Sequence, residues 1–258
     1  METFRDQFSY LNMSEDQCIR WLRFTKEVVT EICKLLQPQL QPQSGTRTAL
    51  PVAVKVTVAL NIYGFGSFQS SAGDLCNISQ FAVHCCIREV TEALYELHNR
   101  FTTFPLDRKQ QNEQVRGFAR ISGFPMVQAG VRPHIAHQVP VNARYHGSTH
   151  DAFIMWQSNV PIIFQLAWQV KGWLLGDKGY PLMRWLMTPV RNAHTRAEQA
   201  YSESHAATCN IIKRSVGVLK QCSRCLNHSG GALQYSAERV SRFLIVCWML
   251  HNLALIRG

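Results

Sequence analysis

Two aspartates are placed where carboxylates can do chemistry. Asp151 follows His150 after a Gly-Ser-Thr turn, and Asp177 closes the apolar run GWLLGD at 172–177. Acids are scarce, 17 Asp and Glu against 27 Lys and Arg. A carboxylate at the carboxyl end of a buried strand is poorly solvated and tends to be kept for a cation or a mechanism. Two such acids from separate elements can hold Mg²⁺ or Mn²⁺ through hard oxygen ligands. Metal-assisted phosphodiester cleavage needs that arrangement, with the ions activating water and steadying the leaving oxygen. The same positions also suit a helix cap at Asp151 and a turn acid at Asp177. Spacing alone leaves both readings open.

Other chemistries have less support. Cys222 and Cys225 form a CxxC with His228 three residues on, but no second CxxC completes a zinc site, so buried thiols are expected instead. His146 and His150 flank the Gly-Ser-Thr turn, and His205 lies further on, yet no HExxH is present. A G-x-S-x-G nucleophile elbow is also absent. The cysteine count is nine, and the charged N-terminus METFRDQFSYLN lacks the apolar core of a secretory signal. Free thiols in a reducing compartment follow as the expectation.

The elements that must position these residues can be read in outline. The chain has 258 residues, is 46% hydrophobic and has a mean hydropathy of −0.12. That is enough for one large domain or two small ones and excludes a disordered chain. No uninterrupted apolar run approaches a membrane span, and FLIVCWMLHNLALI at 243–256 reads as a buried helix. Ser14 and Gln17 form a capping box, and Ile19, Leu22, Val28, Val29, Ile32, Leu35 and Leu36 recur at helical spacing until Pro38. Pro51 to Gly64 predicts a second helix. Ser79 caps a third, running to about Asn99, with Phe81, Val83, Ile87, Val90, Leu94 and Leu97 as core candidates. A short segment, a turn at Asn77 and that longer helix outline a helix-turn-helix, with His84 and Arg88 exposed; an ordinary helical hairpin has the same outline.

Beyond a further helix within 104–125, the pattern changes. Residues 139–145 and 172–177 read as strands, 146–158 as a turn and helix start, and 178–189 as a loop with a short element. Residues 195–221 and 236–256 read as helices. Strands among helices predict an α/β or α+β second domain.

The formal charge is +10 and the pI about 9.4, with Arg supplying 19 of the 27 cations. Arginine forks onto phosphate, so a polyanionic partner such as DNA is indicated. Arg196, Lys213, Arg214, Lys220 and Arg224 fall along one long helix and could contact phosphates; a solvated helix face is the plainer alternative.

Several motifs in one order carry a resemblance. VNARYHGSTHDAFI (141–154), LLGDKGYPLMRWLMTP (174–189), HTRAEQAYSESHAAT (194–208) and GALQYSAERVSRFLIVCWMLHNLAL (231–255) resemble the Harbinger (PIF) transposase-derived nuclease family of the DDE-type endonuclease superfamily. GFGSFQSSAGDLCNISQ (64–80) and the Phe124-Pro125 pair extend the likeness over almost the whole chain. The resemblance implies an α+β chain: a helix-turn-helix-like helical region over 1–123, then a truncated ribonuclease-H-like α/β domain over 124–258 that lacks its first strands. It implies Mg²⁺- or Mn²⁺-dependent hydrolysis of DNA phosphodiesters. Asp151 and Asp177 match the family's metal ligands, and His150 is placed to orient Asp151. A Myb-like DNA-binding partner protein and a nuclear and cytoplasmic location are also implied.

Two departures bear on activity. The family's first aspartate follows its Phe-Pro pair closely, but no acid lies between Phe124 and Asp151 here. The family's glutamate, counted from His205, falls on Lys213. Impaired cleavage is therefore expected, and the alternative is a catalytically dead DNA- or protein-binding module.

Overall fold

Ser14 starts the first α-helix as its sequence predicts. Its hydroxyl accepts from the Gln17 N–H, and the Gln17 side chain accepts from the Ser14 N–H, closing the capping box on α1 (Glu15–Leu22). The sequence predicts one helix from there to Pro38, and the chain instead forms two. Arg23 adopts a left-handed conformation (φ 67°), and Thr25 caps α2 (Lys26–Leu40) with its hydroxyl. The break lets Leu22, Val29, Ile32 and Leu36 all reach the core, while Ile19 stays on the outer side. Pro38 lies inside the last turn of α2, where only one amide donor is lost.

The structure is a computed structural model. It describes residues 8–41, 49–98, 108–130, 151–158, 160–166, 172–226 and 235–257. The chain groups into two compact units, Met1–Phe101 with Val218–Gly258, and Thr102–Gly217. The sequence division falls at residue 123. Packing instead gathers the C-terminal helix with the N-terminal ones, because Leu219, Cys225 and the apolar face of that helix join their core.

In the first unit, α3 (Val52–Phe65) is buried over most of its length and touches α1, α2 and the helices that follow. It ends at Gly66 (φ 66°), two residues past the predicted Gly64. A Cβ at Gly66 would lie 3.0 Å from the Arg224 carbonyl oxygen, so only glycine suits that crossing. Next come α4 (Gln69–Cys76), a left-handed Asn77 and α5 (Gln80–Glu96), capped by Ser79. This is the short helix, turn and longer helix predicted. Val83, Cys86, Ile87, Val90 and Leu94 share the buried face of α5. Phe81 does not: it lies on the opposite side of the helix from Val83 and is 76% exposed. Leu97 is only partly buried.

Among the described residues four helices separate α5 from the last one, α10 (Ala237–Arg257). It is long and apolar enough to cross a membrane by length and composition. Phe243, Val246, Cys247, Met249, Leu250 and Leu253 are nevertheless buried in the core it shares with α3 and α5.

The second unit contains α6 (Arg108–Ser122), β1 (Val127–Gly130), α7 (Asp151–Trp156), α8 (Val160–Leu166), β2 (Trp173–Leu175), β3 (Leu186–Met187) and most of α9 (Arg196–Cys222). The sheet is parallel, in the order β1-β2-β3. β2 matches the predicted apolar strand, and β3 falls inside the segment read as a loop with a short element. β1 is a strand the sequence reading did not place. It follows the Phe124-Pro125 pair, and the Trp173 indole N–H donates to the Pro125 carbonyl at 2.9 Å beside it. The predicted strand 139–145 lies outside the described residues. Among the described residues the chain is α+β, mostly helical with one small sheet.

Candidate active site

In a parallel sheet the carboxyl ends of the strands share one edge, the usual place for a site in α/β architectures. The sequence GDKGY builds the turn at that edge. Gly176 continues from β2, with its N–H donating to the Met187 carbonyl at 2.9 Å. A Cβ at Gly176 would lie 3.1 Å from Tyr180 Cδ2 and 3.2 Å from Leu186 Cδ1. Tyr180 and Leu186 are both buried, so a side chain at 176 would have to push them aside by a few tenths of an ångström.

Asp177 comes next. Its Oδ1 accepts the Gly179 N–H at 2.8 Å, and its carbonyl accepts the Tyr180 N–H at 3.2 Å. The carboxylate pins its own turn, as the turn-acid reading expects. It is also exposed, which corrects the expectation of a poorly solvated group: β2 and Gly176 are buried, but the turn lifts Asp177 out of the sheet.

Asp151 opens α7. Its side chain, and the whole of His150, lie outside the described residues. The pairing of Asp151 with Asp177 thus rests on the motifs.

His205 ties α9 to the strand ends. It is 3% exposed, and its Nε2 lies 3.1 Å from the Met187 carbonyl oxygen. Phe124 packs edge-on against both His205 and Tyr201. The Tyr201 hydroxyl donates to the Thr188 carbonyl at 2.9 Å. Burial lowers the His205 pKa from its ordinary 6.5, opposed by hydrogen bonds to the Met187 and Gly176 backbone. The neutral ring is therefore the clamp. Sequence reasoning named His205 only as a motif residue; its place on the buried face of α9 beside Tyr201 was the available signal.

The start of α9 is fixed separately. Glu198 accepts the His194 and Thr195 N–H groups at 2.8 and 3.0 Å, and Thr195 accepts the Glu198 N–H at 3.2 Å. Those backbone bonds lower the Glu198 pKa.

The cations of α9 face water. Arg196, Lys213, Arg214 and Lys220 are all exposed. At 100° per residue, Arg196 and Arg214 align along one line, roughly 27 Å apart, and Lys213 and Lys220 along another about a quarter-turn away. Lys213 lies eight residues, roughly 12 Å of rise, beyond His205. Glu203 and Asn210, the nearby oxygen donors on this helix, are exposed as well.

Among the described residues no three His, Cys, Asp or Glu side chains gather into a metal-binding group. Asp177 is a hard oxygen donor suited to a hydrated Mg²⁺ or Mn²⁺. It does not by itself make a two-ion site, and Lys213 supplies a cation where a third acid is expected.

The two cysteines of the CxxC differ in their surroundings. Cys222 is exposed, whereas Cys225 is buried with its Sγ 3.7 Å from Cys247 Sγ. That hydrogen bond and burial hold the Cys225 thiol well above its usual range. His228 lies outside the described residues.

A parallel sheet with a glycine-flanked aspartate at its carboxyl edge, clamped by a histidine from a long helix, matches the nuclease motifs. The DDE superfamily endonuclease family matches residues 101–252, and the chain belongs to that family. Relatives cover nearly all of it. A protein of Homo sapiens named "Putative nuclease HARBI1" is 30% identical over 98% of this chain and 81% of its own length. Its Xenopus laevis namesake is 28% identical over 97% of this chain and 81% of its own length. "Protein ALP1-like" of Arabidopsis thaliana is 28% identical over 33% of this chain and 21% of its own length. No solved structure matches the chain significantly. The chain is thus a Harbinger transposase-derived member of the DDE endonucleases, and its class implies a nucleic-acid substrate.

Proposed function

We propose that this chain is a ribonuclease-H-like DNA nuclease whose phosphodiester hydrolysis is weak, with Asp151 and Asp177 sharing one divalent cation, Mg²⁺ or Mn²⁺. The observation that carries this reading is the complete GDKGY turn at the carboxyl end of β2, which presents an exposed carboxylate held by the Gly179 N–H. When bound, the cation supplies Lewis-acid polarisation of a phosphodiester.

The chain's own groups do the rest. Gly179 N–H holds one oxygen of the exposed Asp177 carboxylate. His205, neutral and buried, holds α9 against the strand ends. His150 orients Asp151. Arg196, Lys213, Arg214 and Lys220 contact DNA phosphates. A two-ion mechanism does not fit, because no acid lies between Phe124 and Asp151 and Lys213 occupies the glutamate position. A Myb-like partner and a nuclear and cytoplasmic location belong to the same reading.

The second reading is a non-cleaving DNA- or protein-binding module. Lys213 favours it, since by the family register a lysine stands where the third acid belongs. One experiment separates the two: nicking of supercoiled plasmid with and without Mn²⁺, beside DNA binding over a salt series. Weak nicking that needs Mn²⁺ together with salt-sensitive binding supports the nuclease. Salt-sensitive binding with no nicking at any metal concentration leaves the binding module. Nicking that survives EDTA sinks the proposal.

A further inference from the structure

The strand-end turn makes no use of the short helix, turn and longer helix of the first unit. α4 and α5 pack together with Ala72, Cys76, Val83 and Cys86 all buried in one core. Three residues join the helices. Asn77 is left-handed there (φ 52°), and the Ile78 N–H donates to the Gly73 carbonyl at 3.0 Å. A Cβ at Gly73 would lie 2.8 Å from the Ile78 carbonyl oxygen and 3.4 Å from the Gln80 nitrogen, so glycine lets α4 pass hard against the start of α5. A close approach over a three-residue turn, with α3 packed on both helices, is the helix-turn-helix arrangement.

The outer face of α5 carries the groups that such a helix presents to a ligand. At about 100° per residue, Gln80, Phe81, His84 and Arg88 fall in one quarter of the helix surface, away from the buried Val83, Cys86, Val90 and Leu94. Gln80 and Arg88 are exposed, Phe81 is 76% exposed, and His84 is half-buried. The acids of α5 are engaged elsewhere. Glu89 pairs with Lys55, Glu92 pairs with Arg242, and Glu96 accepts from Gln39 at 2.8 Å. Asp74 lies on α4, not on this face. Arg239 of α10 is exposed and borders the same surface recess as His84 and Arg88. Neither Arg88 nor Arg239 pairs with a carboxylate among the described residues.

We propose that α5 enters the major groove of double-stranded DNA and reads base sequence there. Gln80 pairs with an adenine, Phe81 packs on the methyl group of a thymine, and Arg88 forks onto a guanine further along the groove. Arg239 takes a backbone phosphate. The first residues of a helix docked in this way are the ones that reach base edges, which gives an exposed phenylalanine at position 81 a use. From Gln80 to Arg88 the helix rises roughly 12 Å, so its face spans about four base-pair steps. An acidic peptide would engage the two arginines but leave Gln80 and Phe81 without a role. The proposal deepens the DNA reading above without resting on its site: none of these residues belongs to the strand-end turn or to α9, and recognition needs no metal.

The test uses the full chain in EDTA, which separates recognition from cleavage. Selection from duplexes with a randomised core should enrich one motif holding an A·T pair and a G·C pair at fixed spacing. Fluorescence anisotropy on that duplex should show Gln80→Ala weakening binding about tenfold and accepting any base at the A·T position, and Arg88→Ala doing the same at the G·C position. Uracil in place of the thymine removes its methyl group; it should weaken the parent and leave Phe81→Ala unaffected. Arg239→Ala should weaken selected and scrambled duplexes alike. All four side chains are exposed, so thermal melts of the variants should match the parent. The proposal is overturned if no motif is enriched, if Gln80→Ala and Arg88→Ala keep the parent's base preferences, or if the single strand binds as well as the duplex. Selective binding by a chain that never nicks upholds the proposal and fails the nuclease reading; metal-dependent nicking with no base preference does the reverse.

Discussion

Asp177 does two jobs that a pair of substitutions separates. Its Oδ1 holds the Gly179 N–H at 2.8 Å, and its charge is the proposed metal ligand. Asp177→Asn keeps an oxygen acceptor in the same place and removes the charge. Asp177→Ala removes both. A single exposed hydrogen bond contributes about 0.5–1.5 kcal/mol. Asp177→Ala should therefore lower the melting temperature by about 1–6 °C for a chain of this size, and Asp177→Asn should leave it nearly unchanged. Mn²⁺-dependent nicking should vanish in both. Thermal melts and a plasmid-nicking assay on the same preparations read the two jobs side by side. Asp177→Asn that nicks like the parent would refute the metal-ligand role and leave only a turn acid. Asp177→Ala that melts like the parent would refute the structural role.

Lys213→Glu restores an acid where the family has its glutamate and should raise Mn²⁺-dependent nicking; an equal or lower rate in the same assay would mean that Lys213 does not limit cleavage. Gly176→Ala drives a methyl against Tyr180 and Leu186 and should cost about 1–3 kcal/mol in a denaturant melt; a neutral effect would show that these side chains yield. The His205 pKa is lowered from 6.5 in the folded chain, so folding favours the neutral ring. That contribution is complete above pH 6.5 and is lost as pH falls from 6.5 towards the lower folded value. Burial lowers His251 in the same direction. Melts from pH 7.5 to 5 should show stability falling, and His205→Asn should flatten part of that slope; an unchanged slope would remove His205 as a contributor. Glu198 acts in a different window, below about pH 4.5, where its own contribution fades.

Local signals in the sequence survive where the chemistry is local. The Ser14–Gln17 capping box, the Ser79 cap and the apolar run of β2 each need only their own neighbours, and each forms as read. The failures come where tertiary packing decides. Arg23 breaks a helix that periodicity carries straight through, with a left-handed cap at Arg23 and a new start capped by the Thr25 hydroxyl. Phe81 is apolar yet points away from the face that Val83 and Ile87 define. β1 escapes notice because it is only four residues long, Gln128 and Gly130 weaken its strand pattern, and its partner β2 lies more than 40 residues away. At the site, GDKGY is legible because an apolar run ends in an acid and the segment matches a family motif. The solvation of Asp177 was not, since the turn that exposes it depends on Tyr180 and Leu186 packing beneath Gly176.

One carboxylate-held ion per chain is the core of this account. Isothermal titration with Mn²⁺ tests it on the parent, Asp151→Asn and Asp177→Asn. The parent should bind a single ion weakly, and each variant should bind none. A second ion in the parent, or a single ion that persists when Asp177 becomes Asn, would contradict it.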